Sequence, residues 1–117
     1  MNIEEIRDYC MSKKGTTESF PFDEVTLVFK VMGKMFALAS LNGEPRVNLK
    51  CDTDKTFSLR EEYPAIIPGY HMSKVNWNTV LMDGTLHDDF VKTLIDDSYN
   101  LIVEKLTKKI KLEFEKL

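Results

Sequence analysis

Residues 25 to 40, VTLVFKVMGKMFALAS, constrain the fold of this chain more than any other stretch. β-branched and aromatic residues flank Gly33 on both sides, so the segment reads as two antiparallel strands joined by a tight turn. Gly33 followed by Lys34 suits a two-residue type II′ turn. That turn pairs Met32 with Met35, Val31 with Phe36, Lys30 with Ala37, Phe29 with Leu38 and Val28 with Ala39. Paired residues share a face of a sheet. Phe29, Val31, Phe36 and Leu38 are then core material. Lys30, Ala37 and Ala39, with Val28 and the two methionines around them, form a less bulky and partly polar open face, and Lys34 lies in the turn.

The flanking sequence extends this hairpin into a domain. Residues 2–13 read as a helix: Asn2 is a plausible N-cap, Glu4 and Glu5 suit its positive end, and Ile3, Ile6 and Cys10 form a short apolar stripe. Lys13-Lys14-Gly15 ends it. Thr16 to Phe22 is expected to be extended, with Pro21 pointing to an edge strand or an irregular one and Phe20 and Phe22 on the same side. After the turn Asn42-Gly43-Glu44-Pro45, residues 46–50 alternate as a half-buried strand. Val47 and Leu49 face the core, and Arg46, Asn48 and Lys50 face away. Thr53 is placed to cap a helix running to about Tyr63. Pro64 and Pro68-Gly69 break the chain into a loop through Tyr70-His71-Met72. A strand follows from Trp77 to Met82, then the turn Asp83-Gly84. From Asp88 onward Ile95, Tyr99, Ile102, Leu106 and Ile110 form a continuous helical stripe, so one long C-terminal helix is expected, fraying at its end or continuing through Leu117.

The expected architecture is therefore a single α+β domain over residues 1–117. It has two layers, a largely antiparallel sheet with helices packed on one side, and an N-terminal and a long C-terminal helix. No apolar run approaches the roughly 20 residues of a spanning helix, and the acidic start Met1-Asn2-Ile3-Glu4-Glu5 does not resemble a secretory signal, so no membrane partner is expected. Two cysteines, Cys10 and Cys51, without CxxC or spaced histidines, read as reduced thiols in a cytoplasm. The net charge is −3, but it is unevenly spread. Between Leu27 and Cys51 four cations (Lys30, Lys34, Arg46, Lys50) face one anion, Glu44; between Asp83 and Glu104 six acidic residues face only Lys92.

One set of residues, in order, carries a likeness to a known family: Thr17, Phe20-Pro21-Phe22, Val28-Phe29-Lys30-Val31, Gly33-Lys34-Met35-Phe36-Ala37 and Leu49-Lys50. It continues with Tyr63-Pro64, Pro68-Gly69-Tyr70-His71-Met72, Lys74, Trp77-Asn78, Asp83-Gly84 and Ser98-Tyr99. The chain resembles the MmcQ/YjbR family of small bacterial proteins over nearly its whole length. The resemblance implies a CyaY-like or YjbR-like fold, also described as a double-wing DNA-binding fold, and with it DNA as a partner. It carries over no catalytic residues.

The residues themselves offer one main candidate surface. Lys30, Lys34, Arg46 and Lys50, with Lys74, supply point charges for phosphates, and Asn48 and Trp77 a hydrogen bond and a stacking platform for a single-stranded base. His71 offers an imidazole that can hydrogen-bond a phosphate or an acid. Each also has a plainer role: exposed lysines keep a sheet soluble, Trp77 anchors a core, and His71 pins a loop. The expected function is non-enzymatic DNA binding through this basic face. The alternative is an anionic small molecule or a protein partner in a depression formed by Ala37 and Ala39 among Lys30, Lys50, His71 and Trp77. No catalytic group, metal site or cofactor is expected: His71 and His87 are isolated, and no GxSxG, GxGxxG, HExxH or CxxC spacing occurs. Asp88, Asp89, Asp96 and Asp97 read as a solvated helix start that favours its dipole. A monomer is expected.

Overall fold

The computed structural model describes residues 1–117. Helix α1 spans Ile3–Met11 and opens with a reciprocal cap. The Asn2 side chain accepts from the Glu5 N–H at 2.8 Å, and the Glu5 carboxylate accepts from the Asn2 N–H at 3.1 Å. The stripe read from the sequence buries Ile6 and Cys10 completely. Strand β1 (Thr16–Ser19), the hairpin β2 (Thr26–Val31) and β3 (Lys34–Ser40), and β4 (Arg46–Lys50) follow. Helix α2 (Thr53–Glu62), strands β5 (Ile66–Pro68) and β6 (Trp77–Leu81), and helices α3 (Asp88–Glu104) and α4 (Lys108–Glu115) complete the chain. The six strands form one antiparallel sheet in the order β1-β2-β3-β4-β6-β5. Helices α1 and α3 bury Ile6, Cys10, Val91, Leu94, Ile95, Tyr99 and Ile102 against one face of it, which confirms the two-layer α+β arrangement. No helix is long and apolar enough to cross a membrane.

The hairpin differs from the expected register. Its turn residues are Met32 and Gly33, both with positive φ (49° and 81°), as a type I′ turn demands, and Lys34 already pairs with Val31 as the first residue of β3. A bulge follows. Lys30 pairs with Met35, but Phe29 pairs with Ala37, which leaves Phe36 as the extra residue. Beyond the bulge the side chains change face relative to the expectation. Ala37 and Ala39 are fully buried with Leu27, Phe29, Val31 and Phe36 on the helix side, while Leu38 joins Val28 and Trp77 on the other. The small residues make room for α3, and no Ala-lined depression exists on the open face.

Ser98 links α3 to the sheet where its register is irregular. It is fully buried. Its hydroxyl donates to the Phe36 carbonyl at 2.6 Å and accepts from the Lys50 N–H at 2.9 Å.

Further boundaries differ from the sequence reading, beginning with the first strand, which closes at Ser19 and gives way to a bend at Pro21 and Phe22. Thr53 is the first residue of α2, and Asp52 holds the cap position; the Thr53 hydroxyl is engaged instead by Asn76 at 3.1 Å. The proline-broken segment contains β5, an edge strand that closes on Pro68, where a missing N–H costs no ladder bond. The C-terminal stripe is divided between two helices. Thr107 is extended (φ −61°, ψ 157°), and its hydroxyl accepts from the Ile110 N–H at 3.4 Å, so α4 starts anew. The break lets α4 turn back and set Phe114 near Tyr99, with ring centroids 6.5 Å apart.

Both cysteines are free thiols. Burial is the main reason that the Cys10 thiol is pushed up to about 12 from its ordinary 9.0. The native state keeps this proton where an unfolded chain loses it. The associated stability is whole below about pH 9 and declines as pH rises toward 12. A urea titration should show a loss of about 1.4 kcal/mol at one unit above the ordinary thiol value, diminished in Cys10→Ala. An unchanged urea midpoint there would contradict this assignment.

Candidate functional site

The face of the sheet away from the helices carries a groove of about 460 Å³, bounded by the β1–β2 connection, the start of β4 and the loop after β5. Its most exposed aromatic groups are Phe22 and Tyr70, at 64% and 55% exposure, values that no packing need explains. Leu38 is in its floor, and Arg46, Asn48, His71 and Met72 line it with them.

A short polar relay fixes the loop that carries Tyr70 and His71. The Thr79 hydroxyl donates to Asn48 Oδ1 at 2.6 Å and accepts from the Tyr70 N–H at 3.0 Å; Asn48 Nδ2 donates to the Tyr70 carbonyl at 3.2 Å. Asn48 on β4 and Thr79 on β6 are register partners, so their side chains meet on the same face. The Arg46 guanidinium lies over the Tyr70 ring, 5.0 Å from its centroid, and the Tyr70 and His71 rings are 4.0 Å apart. His71 has φ +58°, a left-handed conformation that costs a non-glycine residue about 1–3 kcal/mol and is found where a side chain must be aimed. Arg46 belongs to none of the chain's ion pairs.

On the opposite wall Asp23 turns its carboxylate inward to its own backbone. It accepts from the N–H groups of Val25 and Thr26 at 2.9 and 2.7 Å and from the Thr26 hydroxyl at 3.1 Å. The Val25 hydrogen bond, helped by those from Thr26, holds this carboxyl below the usual aspartate range. Its anionic charge is therefore occupied in shaping the β1–β2 connection, which presents Phe22.

Of the residues singled out in the sequence, Arg46, Asn48 and His71 come together in this groove. Lys30 is on the same face but two strands away, paired with Thr17 and Met35. Lys34, exposed at the end of the hairpin, shares the face of Val31. Lys50 ends its strand beside a cavity on the helix side; burial first, and then the neighbouring Lys105, lower its pKa. Lys74 is turned to the loop backbone and donates to the Gly69 carbonyl at 3.3 Å. Trp77 is on the open face but only 8% exposed, packed with Val28 and Leu38 under Met35 and Met72. The acidic positions are partly engaged too: Asp88 binds the N-terminal ammonium at 3.0 Å, and Asp96 accepts from Tyr9 and Lys13.

Phe22 and Tyr70 were the groove residues that charge-centred reasoning missed. The available signal was an aromatic residue directly after Pro21, and another directly after Gly69, in segments with no apolar period to bury them.

Gly69 holds the loop against the sheet. Its N–H donates to the Trp77 carbonyl at 3.0 Å, and a Cβ there would stand 2.8 Å from that oxygen and 2.9 Å from Trp77 Cβ. Since the obstacle is backbone, Gly69→Ala should cost about 1–3 kcal/mol in urea unfolding. It should also shift the amide resonances of Tyr70 and His71; a variant as stable as the parent would show that the loop is not held here.

The YjbR family model matches residues 11–101. The chain is 42% identical over 91 residues to the uncharacterized protein YbdF of Escherichia coli O157:H7, covering 77% of this chain and 75% of that one. It is 34% identical over 107 residues to the uncharacterized protein YjbR of Escherichia coli K12, covering 91% of each. Among solved structures it is similar to Deinococcus radiodurans protein DR2400, of domain family DUF419, with a TM-score of 0.90 at 37% identity over 97% of this chain and 88% of that one. A Pseudomonas syringae protein superposes with a TM-score of 0.76 at 32% identity, covering 86% of this chain and 98% of the other.

Proposed function

The chain belongs to the YjbR family, and we infer that it is a non-enzymatic DNA-binding module whose open-face groove takes a short single-stranded segment. The observation that carries this reading is the pairing of exposed aromatic rings with an unpaired cation. Phe22 and Tyr70 offer π-faces to bases, and Arg46, stacked on Tyr70, offers its guanidinium to a phosphate. His71 adds a second contact beside it, and Lys30 a further charge along the same face. Duplex binding draws little support. It needs a broad basic surface, and Lys34, Lys50 and Lys74 are each directed elsewhere.

Fluorescence anisotropy with single- and double-stranded oligonucleotides at two salt concentrations tests this. With about two phosphates neutralised, log affinity should fall with log salt at a slope of about −1.4, far shallower than a duplex binder's. Equal affinity for duplex, or none for single strands at low salt, rejects the reading.

The groove volume favours a second reading, a free anion carrying a flat ring, since about 460 Å³ is the size of a small-molecule pocket. A mononucleotide that binds as tightly as the oligonucleotide would select it.

A further inference from the structure

A second cavity, of about 340 Å³, lies on the other side of the sheet between α2 and α3. Helix α2 rests on β5 and β6, while α3 rests on β2, β3 and β4, so the helical layer is split above the junction of β4 and β6. The chamber beneath is apolar: Leu49, Ile66, Val80 and Leu94 are buried around it, and Leu59 closes one side. A more polar pocket of about 260 Å³ adjoins it and shares Cys51, Lys55 and Asp97, which therefore mark the mouth of the chamber.

Four charged side chains line the chamber, Lys50, Lys55, Glu62 and Asp97, and of these Lys55 and Asp97 stand at the mouth. Lys55 comes from α2 and Asp97 from α3, and neither belongs to any ion pair, with each other or with a third residue. A fatty acid would satisfy Lys55 and be repelled by Asp97; an apolar amine would do the reverse. A molecule with both charges on one carbon and an apolar body satisfies both and fills the chamber. We propose that the cleft between α2 and α3 binds a small zwitterion with an apolar side chain, of the α-amino-acid class, with its carboxylate toward Lys55, its ammonium toward Asp97 and its side chain among Leu59, Val80 and Leu94. This site is independent of the open-face groove.

Methyl-resolved NMR titrations of the whole chain with L-phenylalanine and L-leucine test it. 3-Phenylpropanoate lacks the ammonium and phenethylamine lacks the carboxylate; both serve as comparison ligands. At least one amino acid should shift the methyl signals of Leu59, Val80 and Leu94. Each single-charge analogue should bind about 10-fold or more weakly, the cost of one charge-assisted contact. Lys55→Gln and Asp97→Asn, both at exposed or half-exposed positions, should each lower affinity by a similar factor without unfolding the chain. Leu59→Trp should fill the chamber and remove binding. Neither amino acid binding at millimolar concentration, equal affinity for the analogues, or shifts confined to the Tyr70–Met72 groove would overturn the proposal.

Discussion

Ser98→Ala is expected to lower the thermal midpoint by roughly 10–20 °C, from a loss of about 2–4 kcal/mol. The hydroxyl removed is small, but it serves two backbone groups at once, the Phe36 carbonyl and the Lys50 N–H. Ser98 is fully buried, so no water replaces it without opening the core. Each buried polar group left without a partner costs about 1–3 kcal/mol. The effect should be local as well as global. In hydrogen exchange the Lys50 amide should lose protection first, because its acceptor is gone, while β1 retains its own. Ser98→Thr restores the hydroxyl but adds a methyl group in a filled site, so it should recover only part of the loss. A Ser98→Ala variant within about 0.5 kcal/mol of the parent, the ordinary range of a surface change, would show that the bridge contributes nothing.

Arg46→Glu should remove most oligonucleotide binding, with affinity falling at least 10- to 100-fold, the equivalent of a charge-assisted contact worth about 1.5–3 kcal/mol. The guanidinium is held by Tyr70 rather than by a carboxylate, so it meets a phosphate without first breaking an ion pair. Reversal puts a like charge against the ligand in the same place. Lys109→Glu, on exposed α4, makes the same change in net charge far from the groove and is the control. It should alter affinity less than 2-fold if the effect is local, as screening over about 8–10 Å requires at ordinary salt. Tyr70→Ala should weaken binding by the worth of one stacked base, about 1–3 kcal/mol, with the salt slope unchanged. Equal losses in Arg46→Glu and Lys109→Glu would mean that only overall charge matters, and the groove would lose its role.

The sequence and the structure agree best where the signal is local. The Asn2 and Glu5 cap, the alternation of residues 46–50, and the start of α3 near Asp88 are all set by neighbours a few positions away. They part where a choice depends on what lies across the sheet. A II′ turn and a I′ turn with a bulge are both open to Met32-Gly33-Lys34. The second wins because it puts bulky Phe36 and small Ala37 and Ala39 together under α3, with Ser98 meeting the bulged residue's carbonyl. The same slip moved Leu38 to the other face and removed the depression expected there. The candidate site was legible in its parts, since Arg46, Asn48 and His71 were all identified. Their assembly was not, because it runs through Thr79, a residue with no distinguishing neighbour in the sequence.

By itself, then, the sequence determined the order and type of most elements, the two-layer architecture and the family, because periodicity and turn chemistry act within a few residues. Only the tertiary structure decided which cations share a surface. Lys30, Lys34, Arg46 and Lys50 are neighbours in composition, but side-chain direction changes with every strand residue and reverses across a bulge. Arg46 stands over Tyr70 on the open face, whereas Lys50, at the far end of the same strand, lines the cavity on the helix side beside Lys105.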